Sequence, residues 1–281
     1  MLTTLLITND PEVARFVVTH GVGRIMVDTE ITGKAERQAG KNMVLSDHTI
    51  EDVGRIRAAV PAADLLLRVN PFHAGTADEI RRGAAQGANL VMLPMVRHPA
   101  EVAAAGAVAQ DCGIGLVPLV ETAAAMTRFE RIIACPGVKE VYVGLNDLHL
   151  ELGCDFLFEP VAGGLIDHLA GIARRAGIPW GFGGLATLGS GLVPGELVLA
   201  EHARLGSTRV ILSRAFTRNA KGLADLQATI DLPAEVGKVH AAWRTLTATS
   251  PAALLEQHFA LQRTVAGIVD AKRIPVETPS C

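Results

Sequence analysis

Eight short apolar segments recur along the 281-residue chain, and this repetition constrains the fold more than any other feature of the sequence. Their apolar residues follow one another without polar alternation, which is typical of strands buried on both faces of a parallel sheet. A segment with the length and pattern of a helix follows each strand, so the sequence predicts an α/β protein. The predicted strands span residues 3–8, 23–28, 64–69, 89–94, 114–120, 140–145, 179–184 and 208–213.

The number of these units predicts a (β/α)8 TIM barrel over residues 1–231. Such a barrel usually needs about 250 residues, which is close to the length available. Capping residues such as Thr49 precede several predicted helices, and glycines such as Gly177 end several of them. A doubly wound sheet is the alternative, because the order of the strands cannot be read from the sequence.

Residues 232–281 predict a C-terminal extension of two amphipathic helices. A barrel of eight units has no face left for them, so we expect them to pack on the barrel wall or on a neighbouring subunit. Trp243 and Phe259 are the expected anchors, because large aromatic side chains dominate such contacts.

Composition argues against several classes of partner. The formal net charge of -3 provides no basic face for nucleic acid and no polybasic segment for a membrane surface. No signal peptide or apolar run of roughly 18 residues is present, so we expect a cytoplasmic protein with a small-molecule partner. The cysteines lack CxxC spacing, which argues against a zinc site or a disulfide framework. They are Cys112, Cys135, Cys154 and Cys281.

Two carboxylates follow neighbouring predicted strands, at the barrel end where catalytic residues lie. Glu121 follows the fifth strand and Asp147 the sixth. Together with water they would suit Mg²⁺ or Mn²⁺, which prefer oxygen ligands and leave positions open for a substrate. The structural alternative is that Glu121 lies favourably at a helix N-terminus and Asp147 caps a turn.

Arg68 interrupts the apolar third strand in LLLRVNP, and a buried guanidinium needs an anion. Asp28 or Glu121 could supply that anion in a structural ion pair. Alternatively, Arg68 could bind a substrate carboxylate and a developing enolate with its fork of donors.

Three histidines are candidates for a general base, since imidazole titrates near neutral pH. His48 lies at the end of a long loop after the second strand, where loops are often functional. A solvated loop imidazole is the alternative reading of His48. His149 and His73 are the second and third candidates.

Glycines in GFGGLATLG, at the end of the seventh strand, could let backbone amides approach a phosphate. A tight turn or close packing would equally explain Gly183 and Gly184. Arg214 and Arg218, just past the eighth strand, are candidates for binding a phosphate or a second anion.

The segments PLVETAAAM and CPGVKEVYVGLNDLHLELG resemble the paired metal-site motifs of the HpcH/HpaI aldolase and citrate lyase β-chain family. VDTE, LLRVNP and ANLVMLPMV resemble further marks of the family and occur in the same order. The resemblance covers roughly residues 10–220.

The resemblance implies a metal-dependent barrel that cleaves or forms a carbon–carbon bond through a pyruvate-type enolate, acting on a 4-hydroxy-2-oxo acid or a related sugar acid. It implies a homo-oligomer that exchanges C-terminal helices between subunits. Glu121 and Asp147 match the metal ligands, Arg68 the arginine that steadies the enolate, His48 the catalytic histidine and Asp28 the acid that orients it. The expected substrate-binding residues are Glu30, Asn146, Gly183, Gly184 and Arg214.

Departures from the family pattern keep other functions open. Ile31 stands where the aldolases carry their histidine, and DTEITGKAER is similar to the citrate lyase branch. A CoA-thioester lyase is therefore one alternative, and chemistry on phosphoenolpyruvate, suggested by GLNDL, is a more distant one. A barrel without turnover that serves assembly or regulation is the non-enzymatic alternative.

Overall fold

Eight parallel strands close into a barrel in which each strand pairs with the next and β8 pairs with β1. The structure is a computed structural model that describes residues 1–31 and 47–273. The closed order confirms the predicted (β/α)8 barrel and excludes the doubly wound sheet. The strands are β1 (Thr3–Ile7), β2 (Arg24–Asp28), β3 (Asp64–Arg68), β4 (Leu90–Leu93), β5 (Gly115–Val120), β6 (Val141–Val143), β7 (Trp180–Leu185) and β8 (Arg209–Leu212).

Helices follow the strands around the outside of the barrel and continue beyond β8. Most of the long loop after β2 lies outside the described residues. The helices are α1 (Pro11–Thr19), α2 (Ile50–Ala59), α3 (Thr76–Ala85), α4 (Pro99–Asp111), α5 (Ala123–Thr127), α6 (Phe129–Ile133), α7 (Leu145–Glu151), α8 (Glu159–Ala162), α9 (Leu165–Ala176), α10 (Gly195–Leu205), α11 (Leu223–Thr229), α12 (Leu232–Thr247) and α13 (Pro251–Arg273).

Local signals in the sequence set several helix ends. Thr49 begins α2 with a capping box, in which the side chain of Asp52 accepts from the backbone N–H of Thr49 at 2.7 Å. Gly177 ends α9 with a φ of 64°, a left-handed conformation that favours glycine. Both residues therefore act as the sequence predicts.

The apolar core has two layers. Side chains that point into the barrel, including Leu66 and Met92, fill its interior, while alternate residues pack between the strands and the helices. β2 is buried at every position, which explains its unbroken apolar pattern.

A buried ion-pair cluster lies at the N-terminal end of the barrel. Arg24 Nε contacts Asp64 at 2.6 Å, and Arg24 Nη1 contacts Glu140 at 2.7 Å. Arg209 Nε reaches the same Glu140 carboxylate at 2.8 Å. Burial alone would raise the pKa of Glu140, but its hydrogen bonds and charge attraction to Arg24 and Arg209 hold it below its usual value. The cluster lies at the barrel end opposite to catalysis in this architecture.

The C-terminal extension forms α12 and α13, and both helices contact α10 of the same chain. Trp243 is buried as expected, whereas Phe259 is 46% exposed within the single chain, so it does not anchor the extension on the barrel wall. His258 Nδ1 lies 3.0 Å from Glu201, and Gln262 donates to the carbonyl of Ala162 at 2.7 Å. Packing of the extension on a neighbouring subunit stays a prediction.

Over the described stretches, no helix combines the length and the apolar character that crossing a membrane requires.

Candidate active site

A cavity of ≈ 610 Å³ opens at the C-terminal ends of the strands. Every residue expected at the site from the sequence lines it, whereas His73 and His149 do not. Asp47, beside His48, is a lining carboxylate that the sequence interpretation did not include. The expected residues brought together are Asp28, Glu30, His48, Arg68, Glu121, Asn146, Asp147, Gly183, Gly184 and Arg214.

Glu121 directly follows β5 and is held on both sides of its carboxylate. Its Oε1 accepts a hydrogen bond from the backbone N–H of Met95 at 2.9 Å. Met95 has a φ of 53°, an uncommon conformation for a residue other than glycine, and such strain concentrates at functional sites. On the other side, a Cβ at Gly144 would collide with Glu121 Oε2, so glycine at this position lets the carboxylate keep its present place.

Asp147 lies in the first turn of α7, directly after β6. The sequence did not predict this short helix, which begins at Leu145. Burial raises the pKa of Glu121 to about 8, and repulsion from Asp147 and Glu30 adds to the effect, although Arg68 opposes it. Ionisation of Glu121 is therefore disfavoured while no cation is bound.

These residues fit a hard divalent cation. The donors are carboxylate oxygens, and added positive charge would offset the repulsion between them. In the described parts of the chain, no three His, Cys, Asp or Glu side chains are grouped to hold a metal. Glu121 and Asp147 would therefore supply two ligands and leave the other positions to water and substrate oxygens.

Arg68 makes a two-point ion pair with Asp28. Its Nε lies 2.8 Å from Asp28 Oδ1 and its Nη2 lies 2.6 Å from Oδ2, while Glu30 is 3.5 Å from Nε. Burial alone would lower the pKa of Arg68, but Asp28, Glu30 and Glu121 together raise it above its ordinary value. The guanidinium is thus charged and fixed in orientation at the edge of the acidic region.

His48 contacts Asp28 through the backbone. The N–H of Asp28 donates to His48 Nδ1 at 3.0 Å, while the Asp28 carboxylate is engaged by Arg68. This geometry differs from the expected one, in which the carboxylate of Asp28 orients the ring. The reason is the register of β2 with β3, which places Asp28 directly beside Arg68.

The wall between β7 and β8 depends on Tyr142, a residue that sequence reasoning missed. Its hydroxyl donates to the carbonyl of Gly183 at 2.7 Å and accepts from the N–H of Ile211 at 2.9 Å. The hydroxyl thus bridges the two strands where their register shifts between Gly181 and Gly184. The alternation of VYV predicts that Tyr142 points into the barrel, but not what it contacts.

The two sides of the cavity differ in charge. On the β8 side, Arg214 is joined by neutral polar residues, Ser213, Thr217 and Asn219. Within residues 1–31 and 47–273, Arg214 forms no ion pair. The neighbouring Arg218 does not line the cavity.

The backbone after β8 is unusual. Arg218 and Asn219 have φ values of 49° and 59°, two successive left-handed residues, neither of them a glycine. This bend follows the short 3-10 turn Arg214–Phe216 and brings Asn219 back to the cavity edge.

A protein-family model described as HpcH/HpaI aldolase/citrate lyase matches residues 5–156, more than half of the chain. No curated protein matches the sequence.

Solved structures share the fold at low sequence identity. An HpcH/HpaI aldolase/citrate lyase family protein from Burkholderia cenocepacia J2315 is 18% identical with a TM-score of 0.59, over 75% of this chain and 87% of that one. HpcH/HpaI aldolase from Desulfitobacterium hafniense DCB-2 is 16% identical with a TM-score of 0.57, over 99% and 95%. The citrate synthase SbnG is 14% identical with a TM-score of 0.60, over 84% and 94%. At these identities the likeness establishes the fold alone.

Proposed function

The chain belongs to the HpcH/HpaI aldolase/citrate lyase family, and from this premise we propose that it is a divalent-metal-dependent carbon–carbon lyase acting through a pyruvate-type enolate. One observation carries the proposal. Glu121, Asp147 and Arg68, from three different strand ends, line a single cavity and influence one another electrostatically. Oxygen ligands beside a fixed guanidinium suit a substrate that carries a carboxylate and a neighbouring oxo group.

The metal site would consist of Glu121 and Asp147, with Mg²⁺ or Mn²⁺ as the expected ion. A cation bound there would act as a Lewis acid toward the oxygens of a 2-oxo acid. Met95 and Gly144 keep the Glu121 carboxylate in place for that purpose.

Arg68 would stabilise the enolate oxygen as negative charge develops on it. Its orientation is already set by the two bonds to Asp28, so little reorganisation accompanies the reaction. A donor held in this way typically contributes about 3 kcal/mol to the transition state. Asp28 therefore serves to position Arg68.

The second substrate would be an aldehyde, and the cleaved compound a 4-hydroxy-2-oxo acid or a related sugar acid. The cavity of ≈ 610 Å³ leaves room for it beside Asn146 and the Gly183–Gly184 step. Arg214 favours an aldehyde that carries an anionic group. We further propose a homo-oligomer in which the extension α12–α13 contributes to the subunit interface.

Exchange of the pyruvate methyl protons in D₂O tests the proposal without knowledge of the aldehyde. NMR should show exchange with Mg²⁺ or Mn²⁺ present, none after metal removal, and none in Arg68→Ala. Arg218→Ala, which removes a guanidinium outside the cavity, is the matched control and should exchange normally. Absence of exchange in the metal-loaded protein would contradict a pyruvate-enolate enzyme.

A CoA-thioester lyase is the second candidate, because DTEITGKAER is similar to the citrate lyase branch and the family description covers both activities. This alternative predicts that acetyl-CoA, rather than pyruvate, raises the melting temperature of the metal-loaded protein.

A further inference from the structure

Leu157 lines the cavity from a segment that belongs to neither a strand nor a helix. This segment connects α7, which ends at Glu151, with α8, which begins at Glu159. Other apolar lining residues, such as Met92 and Leu119, are held in strands by the hydrogen bonds of the sheet. The position of Leu157 therefore depends on contacts outside the sheet.

The two residues beside Leu157 anchor the segment in the core. Phe156 and Phe158 are 5% and 8% exposed, and their ring centroids lie 5.8 Å apart. The backbone N–H of Phe156 donates to Glu159 Oε1 at 2.6 Å, which ties the segment to the first residue of α8. Leu157 thus reaches the cavity from a short turn that is fixed on both sides.

The C-terminal helix α13 supports the same turn from outside the barrel. Lys272 Nζ donates to the backbone carbonyl of Asp155 at 2.8 Å and lies 5.2 Å from the centroid of the Phe156 ring. An ammonium over an aromatic face is attracted by the ring electrons. Earlier on α13, Gln262 donates to the carbonyl of Ala162, the last residue of α8, at 2.7 Å. The helix α13 therefore contacts this connection both before α8 begins and where α8 ends.

We propose that Leu157 sets the size of the second substrate that the cavity accepts, and that Lys272 is a positioning residue that keeps Leu157 in place. This inference rests on the proposed aldol chemistry. Arg68 and Glu121 would face the 2-oxo acid from β3 and β5, whereas Leu157 follows Asn146 on the connection after β6. That is the side of the cavity on which the aldehyde would lie.

An apolar wall discriminates between substrates by their bulk. One methylene more or less in such a pocket typically changes kcat/KM by about 10- to 200-fold. Shortening Leu157 should therefore favour a bulky aldehyde over a small one, and enlarging it should do the opposite.

The first test compares benzaldehyde with propanal, each with pyruvate and Mg²⁺, in the full chain. We expect the ratio of kcat/KM for benzaldehyde to that for propanal to rise roughly tenfold or more in Leu157→Ala and to fall in Leu157→Phe. A general folding defect would lower both values alike and leave the ratio unchanged. An unchanged ratio in both variants would overturn the role of Leu157.

A double-mutant cycle tests whether Lys272 acts through Leu157. Lys272→Met removes the ammonium and should raise the ratio roughly threefold, whereas Lys272→Arg, which keeps the charge and the donor, should retain the wild-type ratio. In the Leu157→Ala background, Lys272→Met should change the ratio little, because its effect depends on the leucine. Lys238→Met, at an exposed lysine of α12, is the matched control. Additive effects of the two changes, or an equal shift in Lys238→Met, would overturn the positioning role.

Methyl exchange separates this inference from the proposed function, because exchange of the pyruvate protons requires no aldehyde. Exchange in the wild type together with unchanged ratios would overturn the inference and leave the proposed function standing. Exchange without turnover of either aldehyde, in the wild type and in Leu157→Ala, would have the same meaning. Absence of exchange would contradict the proposed function, and this inference with it.

Discussion

The backbone N–H of Met95 donates to Glu121 Oε1 across 2.9 Å, from a residue held at a φ of 53°. A left-handed methionine costs on the order of 1–3 kcal/mol, so the rest of the fold stabilises this arrangement against local strain. The strain places a hydrogen-bond donor on one oxygen of a candidate metal ligand. Because Gly144 packs against the other oxygen, the carboxylate has little freedom to turn.

Gly144→Ala should therefore weaken metal binding. The new Cβ would collide with Glu121 Oε2 and displace the carboxylate from its present position. We expect the Kd for Mn²⁺ to rise roughly tenfold or more by isothermal titration calorimetry, as for loss of an outer-shell partner. Gly237→Ala, where a Cβ would have no neighbour within 4 Å, is the control and should bind normally. Equal affinity in both variants would contradict the role of Gly144.

Removal of metal should make stability depend on pH. The pKa of Glu121 is raised from 4.5 to about 8, so the metal-free folded protein favours the protonated carboxyl. Its contribution to stability is complete below the unfolded pKa and is lost as the pH rises through about 8.

The metal-free melting temperature should therefore fall as the pH rises from about 4.5 to about 8, and Mn²⁺ should restore it at the higher pH. Glu121→Gln, which cannot ionise, should show a flatter pH dependence and no metal response. A metal-free wild type with the same pH profile as this variant would refute the prediction.

Glu140→Gln should destabilise the barrel. The change removes the negative charge that Arg24 and Arg209 share. Arg24 is only 4% exposed, and among the pairs described it would keep one carboxylate partner, Asp64. Loss of one partner from a buried ion pair typically costs about 3–5 kcal/mol, measurable by urea denaturation. The pair Lys238–Glu235, in which Lys238 is exposed and Glu235 is partly buried, provides the control, since Glu235→Gln should cost less than about 1 kcal/mol. If both variants lost a similar free energy of unfolding, the buried ion pairs of Glu140 would not stabilise the barrel more than the Lys238–Glu235 pair does.

Arg214→Gln should reduce the preference for an anionic second substrate. Arg214 is the cation on the β8 side of the cavity, where the other polar lining residues are neutral. With pyruvate present, kcat/KM for succinic semialdehyde should fall roughly tenfold or more, whereas butanal should be affected little. Arg218→Gln tests for a general charge effect, because Arg218 does not line the cavity. Parallel losses for both aldehydes would argue against a specific anion contact.

The sequence predicts those parts of the fold and site that depend on local pattern. Burial on both faces identifies the strands, and their closed order places Glu121, Asp147 and Arg68 at one end of the barrel. The sequence could not show which carboxylate pairs with Arg68. Asp28 and Glu121 both follow strands that end near Arg68, and both interact with it electrostatically in the structure.

Contacts through the backbone were the hardest to predict. The donors to Glu121 and to His48 are the N–H groups of Met95 and Asp28, which side-chain identity does not indicate. The exposure of Phe259 within one chain could not be predicted for a related reason. Its place on the outer face of α13 follows from how that helix docks on α10, and both aromatic residues of the extension looked equally apolar in sequence.

Tyr142, whose hydroxyl joins β7 to β8, is also the single tyrosine of the chain. Burial raises the pKa of its phenol above the ordinary value, so it stays un-ionised while the barrel is intact. Any tyrosine absorbance signal therefore comes from the cavity wall and from nowhere else. Opening of the barrel between β7 and β8 would therefore change the environment of the only tyrosine in the sequence.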